Sequence, residues 1–540
     1  MSAFLSRVLA VFLAFGLIAS PAQADLAWKL YEFNNLDGGL NDSTNAISLG
    51  LDEASNLQNI IFPRTINGAI AKRPGFTRIN STALSGTPDC TGLKFFKNAA
   101  GTRWLISVWE DDKIRKMEYG AGSGPDGTWD DITGTIVFVG TADDQADFAI
   151  AQDSVIIEDG IGTTAPYRWT GAGDAAALGG GSPSAKFVEY HRRHLFAAGD
   201  TSQPSRLYFS NLGDILTWTI TDFINVEDNA GDGIIRGLAT GLDGLYIWKD
   251  SAIWRLTGTN RDDFILERMV QGIGTLANSS IATINSIKDS EQLFVFMTQN
   301  GDIAVYDGGV TVQIISTKIL NSVPKSLEFS RNDEVVATAY EFTYAISVTV
   351  SGESAHSRIY LCDFLHGGAW TMLSGMVANA IASCENGSGK ENLMFGDYSG
   401  FTNLWDIDDT SNLNDPSTTA ISAFYETGHL TFSDSGVEKN VRVMRIFVNQ
   451  QGSSNTLDIE VREDFESAGE TFSISLAGSG AVWDTAVYDV DRWADLAVLI
   501  SRIEPNAGLN TFLFRFSNDR VSETFRIRKF QVLVEPTGRV

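Results

Sequence analysis

Short runs of alternating apolar and polar residues, each followed by a turn rich in Gly, Asp or Asn, recur between about residues 90 and 405. The pattern is clearest where Trp104 to Trp109 precedes the turn Asp111 to Lys113, and where Leu245 to Trp248 precedes the turn Lys249 to Ser251. Alternation with a period of two, interrupted by turn residues, predicts β-hairpins. An all-β fold is therefore expected over this region.

The hairpins repeat at a regular spacing. The second strand of each ends on an aromatic residue, and successive residues of this kind lie 39 to 54 positions apart: Tyr119, Trp169, Tyr208, Trp254, Tyr306, Tyr360 and Trp405. A period of about 40–50 residues with about four short strands per repeat is typical of β-propeller blades. Residues 90–406 are therefore predicted to form a β-propeller of six or seven blades, in preference to an array of β-sandwiches. The tryptophans among these aromatics are expected to be buried between blades.

Beyond the repeats the pattern changes. Residues 407–419 are rich in Asp, Asn, Ser and Thr, and are predicted to be a linker. Apolar strands without the blade period follow, which predicts a β-sandwich-like domain over residues 420–540. Much of its positive charge lies on the last two strands, at Arg515, Arg526, Arg528 and Lys529. We expect a solvated strand face there, with contact to an acidic neighbour as the alternative.

Composition agrees with a folded, turn-rich β-protein. The 540 residues include 51 Gly, 12 Trp and 32 Phe, and 43% of them are hydrophobic. The formal net charge is −27. Such a surface repels phosphate backbones and anionic lipid headgroups, so binding of nucleic acid by neutralising phosphates is not expected. A pore through which DNA slides without sticking remains compatible with this charge, as does a simple role in solubility.

Candidate catalytic and metal-binding patterns are sparse. His191 and His194 flank two arginines between strand-like runs, so a hairpin turn is expected there and a metal site is not. The carboxylate pairs Asp111–Asp112 and Asp262–Asp263 fall in predicted turns, where solvated charges are usual. The sequence contains no nucleophile elbow, zinc-protease or P-loop motif, and no dinucleotide-binding fingerprint set between a strand and a helix. No catalytic, cofactor-binding or metal-binding residue is predicted, and the chain is expected not to be an enzyme.

The three cysteines are too few and too scattered for a disulfide framework, and no CxxC pair suits zinc: Cys90, Cys362 and Cys384. Cys362 lies in an apolar strand-like run, where a small buried hydrophobic side chain is expected.

Residues 1–24 differ from the rest of the chain. Arg7 is their only charge, Val8 to Ala19 are apolar, and Ala22 to Ala24 offer a small-x-small cleavage site. This pattern predicts a secretory signal. The apolar run is too short for an ordinary membrane-spanning helix, and no later segment approaches twenty apolar residues, so no membrane-spanning segment is predicted.

Three short segments near the amino terminus carry a family resemblance. They are GGLN at residues 38–41, EASNLQN at residues 53–59 and KRPGF at residues 72–76. In this order, and with Leu207 to Ser210 and Leu245 to Gly258 downstream, they resemble the tail nozzle and head-to-tail hub proteins (tail tubular or stabilisation proteins) of short-tailed phages. The resemblance covers residues 30–260 well and the remainder only in general texture.

The resemblance implies a function and a set of partners. It implies a virion structural protein that forms a ring, expected to be a hexamer, next to the portal or adaptor and other tail proteins. DNA would pass through the ring during ejection without sequence-specific binding, and no cofactor is implied. The implied location is the virion tail, which conflicts with a secretory signal unless the start codon is assigned too early or the gene has acquired a leader.

Residues 25–89 are predicted to form an amino-terminal arm leading into the first blade. Ala54, Leu57 and Ile61 fall on one face of a helix, which predicts a short helix over residues 52–61. Pro74–Gly75 suits a type II turn, with glycine at a positive φ. Such an arm could cap the propeller, clasp a neighbouring subunit, or pack on its own chain.

A second functional hypothesis takes the leader at face value. The chain would then be an exported bacterial β-propeller, located in the periplasm or outside the cell, that binds or hydrolyses carbohydrate.

Overall fold

The chain folds almost entirely into β-strands. The computed structural model describes residues 28–120, 124–136, 144–226, 231–285, 292–385, 389–432, 435–451, 455–477, 498–505 and 507–539. The predicted secretory signal at residues 1–24 lies outside these residues. The helices of the described residues are short 3-10 turns: Arg261–Asp263, Asn278–Ser280, Ser316–Ile319, Phe329–Arg331, Phe364–His366 and Pro416–Thr418. None of these helices has the length and apolar character needed to cross a membrane.

Seven small antiparallel sheets form the blades of a β-propeller. The strands of each blade are given below from the innermost to the outermost. Blade one contains Cys90–Lys97, Arg103–Trp109 and Lys113–Gly120, with Gly124–Pro125 and Asp130–Asp131 sharing the outer edge. Blade two contains Asp147–Ala151, Ser154–Glu158, Tyr167–Trp169 and Ala176–Ala177. Blade three contains Phe187–His191, His194–Ala198, Arg206–Phe209 and Phe223–Asn225. Blade four contains Ile235–Thr240, Leu245–Lys249, Ala252–Thr257 and Ile265–Gln271.

The remaining blades follow the same order. Blade five contains Ala282–Asn285, Gln292–Met297, Ile303–Tyr306 and Val312–Ile314. Blade six contains Val336–Tyr340, Thr343–Thr349, His356–Asp363 and Ala369–Ser374. Blade seven contains Ala380–Glu385, Glu391–Gly396, Thr402–Trp405 and, as its outermost strand, Thr77–Arg78.

The blades close into a ring around one axis. Innermost strands of neighbouring blades contact one another, the turn Asn278–Ser280 bridges blades four and five, and the innermost strand of blade seven contacts that of blade one. The predicted propeller is therefore confirmed, with seven blades. All seven of the regularly spaced aromatic residues lie on the third strand of their blade. Trp169, Trp254 and Trp405 are buried, as predicted.

The last blade is completed from the other end of the chain. Thr77 pairs with Leu404 and Arg78 pairs with Asn403, in antiparallel register. The predicted propeller boundary at residue 90 therefore misses one strand. A two-residue strand has too little alternation to be recognised in the sequence, although it supplies the outer edge of blade seven.

A two-sheet β-sandwich follows the propeller, and both ends of the chain build it. We call the first sheet the A sheet; its strands are Lys29–Phe33, Ile60–Ile61, Ile70–Lys72, Val437–Asn449, Val498–Ile503, Ala507–Leu509 and Arg526–Arg539. The B sheet contains Gly39–Leu40, Glu53–Gln58, Ala423–Thr427, Thr456–Glu463, Glu470–Ser475 and Phe512–Asn518. The segment predicted as an amino-terminal arm leading into the first blade, residues 25–89, supplies strands to both sheets over its described residues 28–89, which is the alternative in which it packs on its own chain.

The short helix predicted over residues 52–61 is wrong, because this segment is the strand Glu53–Gln58 followed by Ile60–Ile61. The register of this strand against its neighbour shifts between Ala54 and Asn56. A bulge of this kind adds one residue, so Ala54 and Leu57 both point into the core although they are three positions apart. The same spacing is typical of a helix, which explains the error.

The sandwich packs against the outermost strand of blade six. Three amino-terminal strands of the sandwich contact Ala369–Ser374. The predicted linker at residues 407–419 joins the two domains and includes the 3-10 turn Pro416–Thr418. Its residue Asp415 is buried at the boundary between the domains.

Candidate functional site

The three segments that carry the family resemblance meet at the boundary between propeller and sandwich, which we call the junction. In the first segment, Asn41 donates a hydrogen bond of 2.9 Å to Glu53, the first residue of the second segment. Gly39 has a φ of 82°, and a Cβ atom there would lie 2.6 Å from the backbone nitrogen of Trp370 in blade six. A residue without a side chain is therefore required where this strand crosses the blade.

Asn59, the last residue of the second segment, is the hydrogen-bonding centre of the junction. It adopts a φ of 55°, a conformation that asparagine tolerates better than most residues. Its backbone nitrogen donates to Met372 of blade six at 2.8 Å. Its side-chain amide donates to Ser374 at 3.0 Å and to the carbonyl of Ser422 at 2.7 Å. Its side-chain oxygen accepts from the backbone of Ser374 at 2.9 Å. One side chain thus joins the amino-terminal segment, blade six and the start of the sandwich.

Arg73, from the third segment, completes the junction. Its guanidinium is fully buried and forms a two-point ion pair with Asp415, with distances of 2.8 and 2.7 Å. It also donates to the side chain of Asn59 at 2.9 Å and to the carbonyls of Pro74 and Ser374 at 3.0 and 2.9 Å. Two-point pairing of arginine with a carboxylate is among the strongest charge-assisted contacts in proteins. The second and third segments of the motif therefore bind each other directly and hold the linker.

Gly75 has a different role from the one predicted for it. It is not among the glycines with positive φ, so the predicted type II turn is wrong. A Cβ atom at this position would lie 1.8 Å from the carbonyl oxygen of Asn414 in the linker. Glycine is required because the linker backbone passes directly over it.

A second feature is the channel along the propeller axis, a cavity of about 490 Å³. All seven innermost strands line it, and most of the side chains that face it are polar or small. Its charged residues are Lys94 of blade one, Asp147 of blade two and Glu189 of blade three. Asp147 accepts a hydrogen bond of 2.8 Å from the backbone nitrogen of Val188, which places it next to Glu189 at the contact between blades two and three.

The carboxylates beside the channel hold their protons more tightly than usual. Burial, with a smaller contribution from the charge of Asp147, raises the pKa of Glu189 to about 7. Burial also raises the pKa of Asp147. Behind them, burial raises the pKa of Glu158, the cross-strand partner of Asp147, well above its ordinary value. Glu189 can therefore exchange a proton near neutral pH, and a cavity lined by carboxyl groups with raised pKa values is a candidate binding site for polar ligands.

The residues singled out in the sequence as candidate chemistry do not come together. His191 and His194 face each other across a hairpin whose turn is Arg192–Arg193, as predicted. The ring nitrogens of His194 lie 2.6 and 3.1 Å from the carbonyl oxygens of Ser210 and Thr259. Burial lowers the pKa of His191 to about 4. Within the described ranges, no three histidine, cysteine or acidic residues are placed to hold a metal ion.

The other candidates also have structural positions. Asp111–Asp112 lie in the turn between two strands of blade one, and Asp262–Asp263 lie in a 3-10 turn of blade four, so both pairs occupy turns as predicted. The cysteines are buried and unpaired: Cys90, Cys362 and Cys384. The sequence did not identify Glu189 or Asp147, because an acidic residue on an alternating strand has no feature that separates the channel side from the solvent side.

The fold places the chain in the class of β-propeller proteins. No protein-family model and no curated protein matches the sequence. Several solved propellers are similar in structure. BamB from Moraxella catarrhalis is 10% identical, covers 59% of this chain and 84% of its own, and has a TM-score of 0.35. The Pan2 WD40 domain from Neurospora crassa is 9% identical, matches 63% of this chain and 97% of its own, and has a TM-score of 0.37. BBS1N, in a complex with ARL6DN, is 10% identical, matches 63% of this chain and 99% of its own, and has a TM-score of 0.29.

Proposed function

We propose that this chain is a structural subunit of a short-tailed phage tail, in the nozzle or hub ring near the portal. The observation that carries the proposal is the convergence of the three resemblance segments at the junction. Residues 38–41, 53–59 and 72–76 lie close together in the sequence, and their partners in blade six and the linker lie more than 300 positions away, so that together they join propeller, linker and sandwich. Because these segments hold the two domains together, their resemblance to phage tail proteins supports a shared architecture. A shared architecture in turn supports a shared role.

We propose that the subunit acts by shape and association, without catalysis. The motif residues with the most hydrogen-bonding capacity are Asn59 and Arg73. Both are buried and are satisfied by contacts within the chain. Groups used in this way have no capacity left for a substrate, so they support a structural role for the motif.

In this proposal DNA passes through the central opening that the subunits of the ring enclose. It does not pass through the axial channel of a single propeller. The axial cavity of one chain has a volume of about 490 Å³. Spread over about 17 Å, the length of a five-residue strand, this volume corresponds to a passage roughly 6 Å wide, whereas the major groove of duplex DNA alone is about 12 Å wide. The net charge of −27 suits a wall that DNA slides past, because phosphates are repelled.

The proposal is tested on the virus. Mass spectrometry of purified virions should detect the chain in a fixed copy number, and labelled antibody should mark the tail in electron micrographs. The wild-type virus is compared with one whose copy of the gene carries Asp415→Ala, which weakens the junction. Such particles should package DNA and lack a complete tail. Virions that contain no copy of the chain would disprove the proposal.

A second candidate function rests on the axial channel. Asp147 and Glu189 share a polar cavity with Lys94, which suits a small polar ligand such as a carbohydrate. Under this alternative the chain is an exported propeller that binds or hydrolyses carbohydrate. Binding of soluble oligosaccharides, measured by calorimetry and abolished by Glu189→Gln and Asp147→Asn, would favour it. Absence of binding, together with the presence of the chain in virions, would favour the tail.

A further inference from the structure

The outer face of the A sheet carries an apolar and basic surface in a strongly acidic protein. Directly paired strand residues share a face, and three cross-strand rows therefore lie side by side on it. One row contains Leu30, Leu533 and Val443, the next contains Glu32, Gln531, Arg445 and Arg502, and the third contains Ile500, Phe447 and Lys529. Arg445 is exposed, and the apolar side chains of Leu30 and Ile500 are 50% and 57% exposed. We call this surface the basic sheet face.

The central row of the basic sheet face places two like charges opposite each other. Arg445 and Arg502 are direct cross-strand partners, an arrangement that destabilises an isolated sheet. Arg502 pairs with Glu504 at 2.6 Å, whereas Arg445 forms no ion pair with any described residue. Lys529 lies over the ring of Phe447 at 4.8 Å. Two arginines and a lysine outnumber Glu32, the one carboxylate of these rows, so the face is suited to an acidic, apolar partner surface.

A surface of this kind occurs on the propeller, on the loops at one end of blades three to five. In an antiparallel blade, the turn between the first two strands and the loop between the last two lie at the same end. Four apolar side chains there project into solvent, and three of them are strongly exposed: Ile220 at 89%, Leu242 at 77% and Val310 at 74%, with Leu212 beside them. The carboxylates of Asp262 and Asp307 lie on the same loops. We call these six residues the loop face.

Contacts between neighbouring loops show that the loop face is continuous. Arg192 donates to the carbonyls of Gly258 and Asp243, joining blade three to blade four. The Tyr246 hydroxyl donates to Gly308, joining blade four to blade five. Asp262 and Asp307 are exposed and have no ion-pair partner among the residues placed in the structure. The positive charges nearby are Arg192 and Arg193 on the turn of blade three, and Arg261, which precedes Asp262 and pairs with Asp222 at 2.5 Å.

We propose that the basic sheet face of one copy binds the loop face of the next copy, so that identical chains associate head to tail. This inference rests on the proposed ring. Charge complementarity and exposed apolar residues on both surfaces identify the partner as a second copy. A symmetric contact between two basic sheet faces would set arginines against arginines. A heterologous contact pairs them with Asp262 and Asp307 and repeats around a closed ring.

The test exchanges the charges of the two surfaces. The first variant is Arg445→Glu with Arg502→Glu, and the second is Asp262→Lys with Asp307→Lys. Each variant alone brings like charges together and should associate at least tenfold more weakly than wild type. An equimolar mixture should regain the wild-type oligomer, because each altered surface then meets its complement. The masses are measured by light scattering and the stoichiometry by native mass spectrometry.

Controls separate loss of contact from loss of fold. Lys113→Glu with Lys325→Glu changes the net charge by the same amount as the first variant at half-buried and exposed positions away from both faces, and it should assemble normally. Circular dichroism should show native folding of every variant. Wild-type assembly that survives the first variant would overturn this contact and leave the ring itself standing. A wild-type chain that stays monomeric at its highest soluble concentration would also overturn the contact, and the tail assignment would then depend on the virion experiment alone.

Discussion

At the scale of single residues, the junction is built around a buried charge. Arg73 is 1% exposed and donates hydrogen bonds to two side chains and two backbone carbonyls. A buried guanidinium is tolerated only when it is paired and its other N–H groups are satisfied. Asn59 and Asp415 supply these partners from segments on either side of the propeller in the sequence. Pairing at this site therefore depends on correct assembly of both domains.

Removing the carboxylate should destabilise the protein strongly. Asp415→Ala leaves the Arg73 charge buried without its counter-ion, and the expected loss in the free energy of unfolding is about 3–5 kcal/mol. The measurement is urea denaturation followed by circular dichroism. Asp262→Ala, which removes an exposed carboxylate, is the control and should change stability by less than about 0.5 kcal/mol. Equal small losses in both variants would show that the ion pair does not hold the junction.

Glu189 should make stability depend on pH in a defined direction. Its pKa is raised from 4.5 to about 7, chiefly by burial. The folded protein therefore retains a proton that the unfolded chain has lost, and this contribution to stability is present below pH 4.5 and is lost as the pH rises to about 7. Glu189→Gln should remove this part of the pH dependence. Comparison of urea midpoints at pH 5 and pH 8 checks it, and an unchanged pH profile in the variant would contradict it.

Trp254 tests the packing between blades. It is 8% exposed, and its indole nitrogen donates to Asp232 at 3.2 Å. Trp254→Ala should cost about 3–5 kcal/mol, because a large buried side chain leaves a cavity. Trp254→Phe keeps most of the volume and should cost clearly less. A loss below about 1 kcal/mol for the alanine variant would place this side chain outside the core.

At the scale of elements, the sequence predicted the blades well and the chain ends poorly. The aromatic residue that ends each hairpin lies on the third strand of each of the seven blades, because blades bury their central strands on both faces and large apolar side chains recur there. The outermost strands were not predicted. Thr77–Arg78 and Ala176–Ala177 each span two residues, and their residues are mostly exposed. A short solvent-facing edge has no apolar pattern to detect.

The amino-terminal strands were missed for a different reason. Three of these strands, Lys29–Phe33, Glu53–Gln58 and Ile70–Lys72, pair with strands more than 350 positions away, for example Lys29 with Val534 and Ala54 with Thr427. Local periodicity contains no information about such partners. The motif segments could be recognised, but their meeting at Asn59 and Arg73 depends on this long-range pairing. The channel carboxylates Asp147 and Glu189 were missed because only the closed ring decides which strand face lines the axis.

Removal of residues 25–80 should disrupt folding as well as assembly. The deletion takes the outermost strand from blade seven, several strands from both sandwich sheets, and Arg73 from the junction. Exposed sheet edges favour aggregation, so the truncated chain should be insoluble or should unfold without a cooperative transition. Thermal unfolding followed by light scattering measures this. A soluble, cooperatively folding truncated chain would show that the amino-terminal segment is dispensable for the fold.

At the scale of the whole molecule, the first and last described strands lie in one sandwich, and the propeller is closed by a strand that enters from it. This arrangement makes the domains depend on each other, since the strand that completes blade seven lies five residues after the sandwich strand Ile70–Lys72. A subunit that must keep its shape inside a ring benefits from such coupling, because force applied to either domain is carried by the same set of strands.

The acidity of the whole molecule gives a prediction for its interaction with DNA. With a net charge of −27, the chain should leave duplex DNA unbound at physiological salt, because specific and non-specific DNA binding both depend on neutralising phosphates. Fluorescence anisotropy of a labelled 30-base-pair duplex should show no change up to the highest protein concentration, for the monomer and for the proposed ring. The Arg445→Glu, Arg502→Glu variant is a useful comparison, since the basic sheet face is the surface most able to contact phosphate. A dissociation constant below about 1 µM for the wild type, weakened by salt and abolished in that variant, is tighter than ordinary non-specific binding of about 1–100 µM. Such a result would mean that the basic sheet face binds nucleic acid. It would contradict the proposed conduit, through which DNA has to slide without being bound.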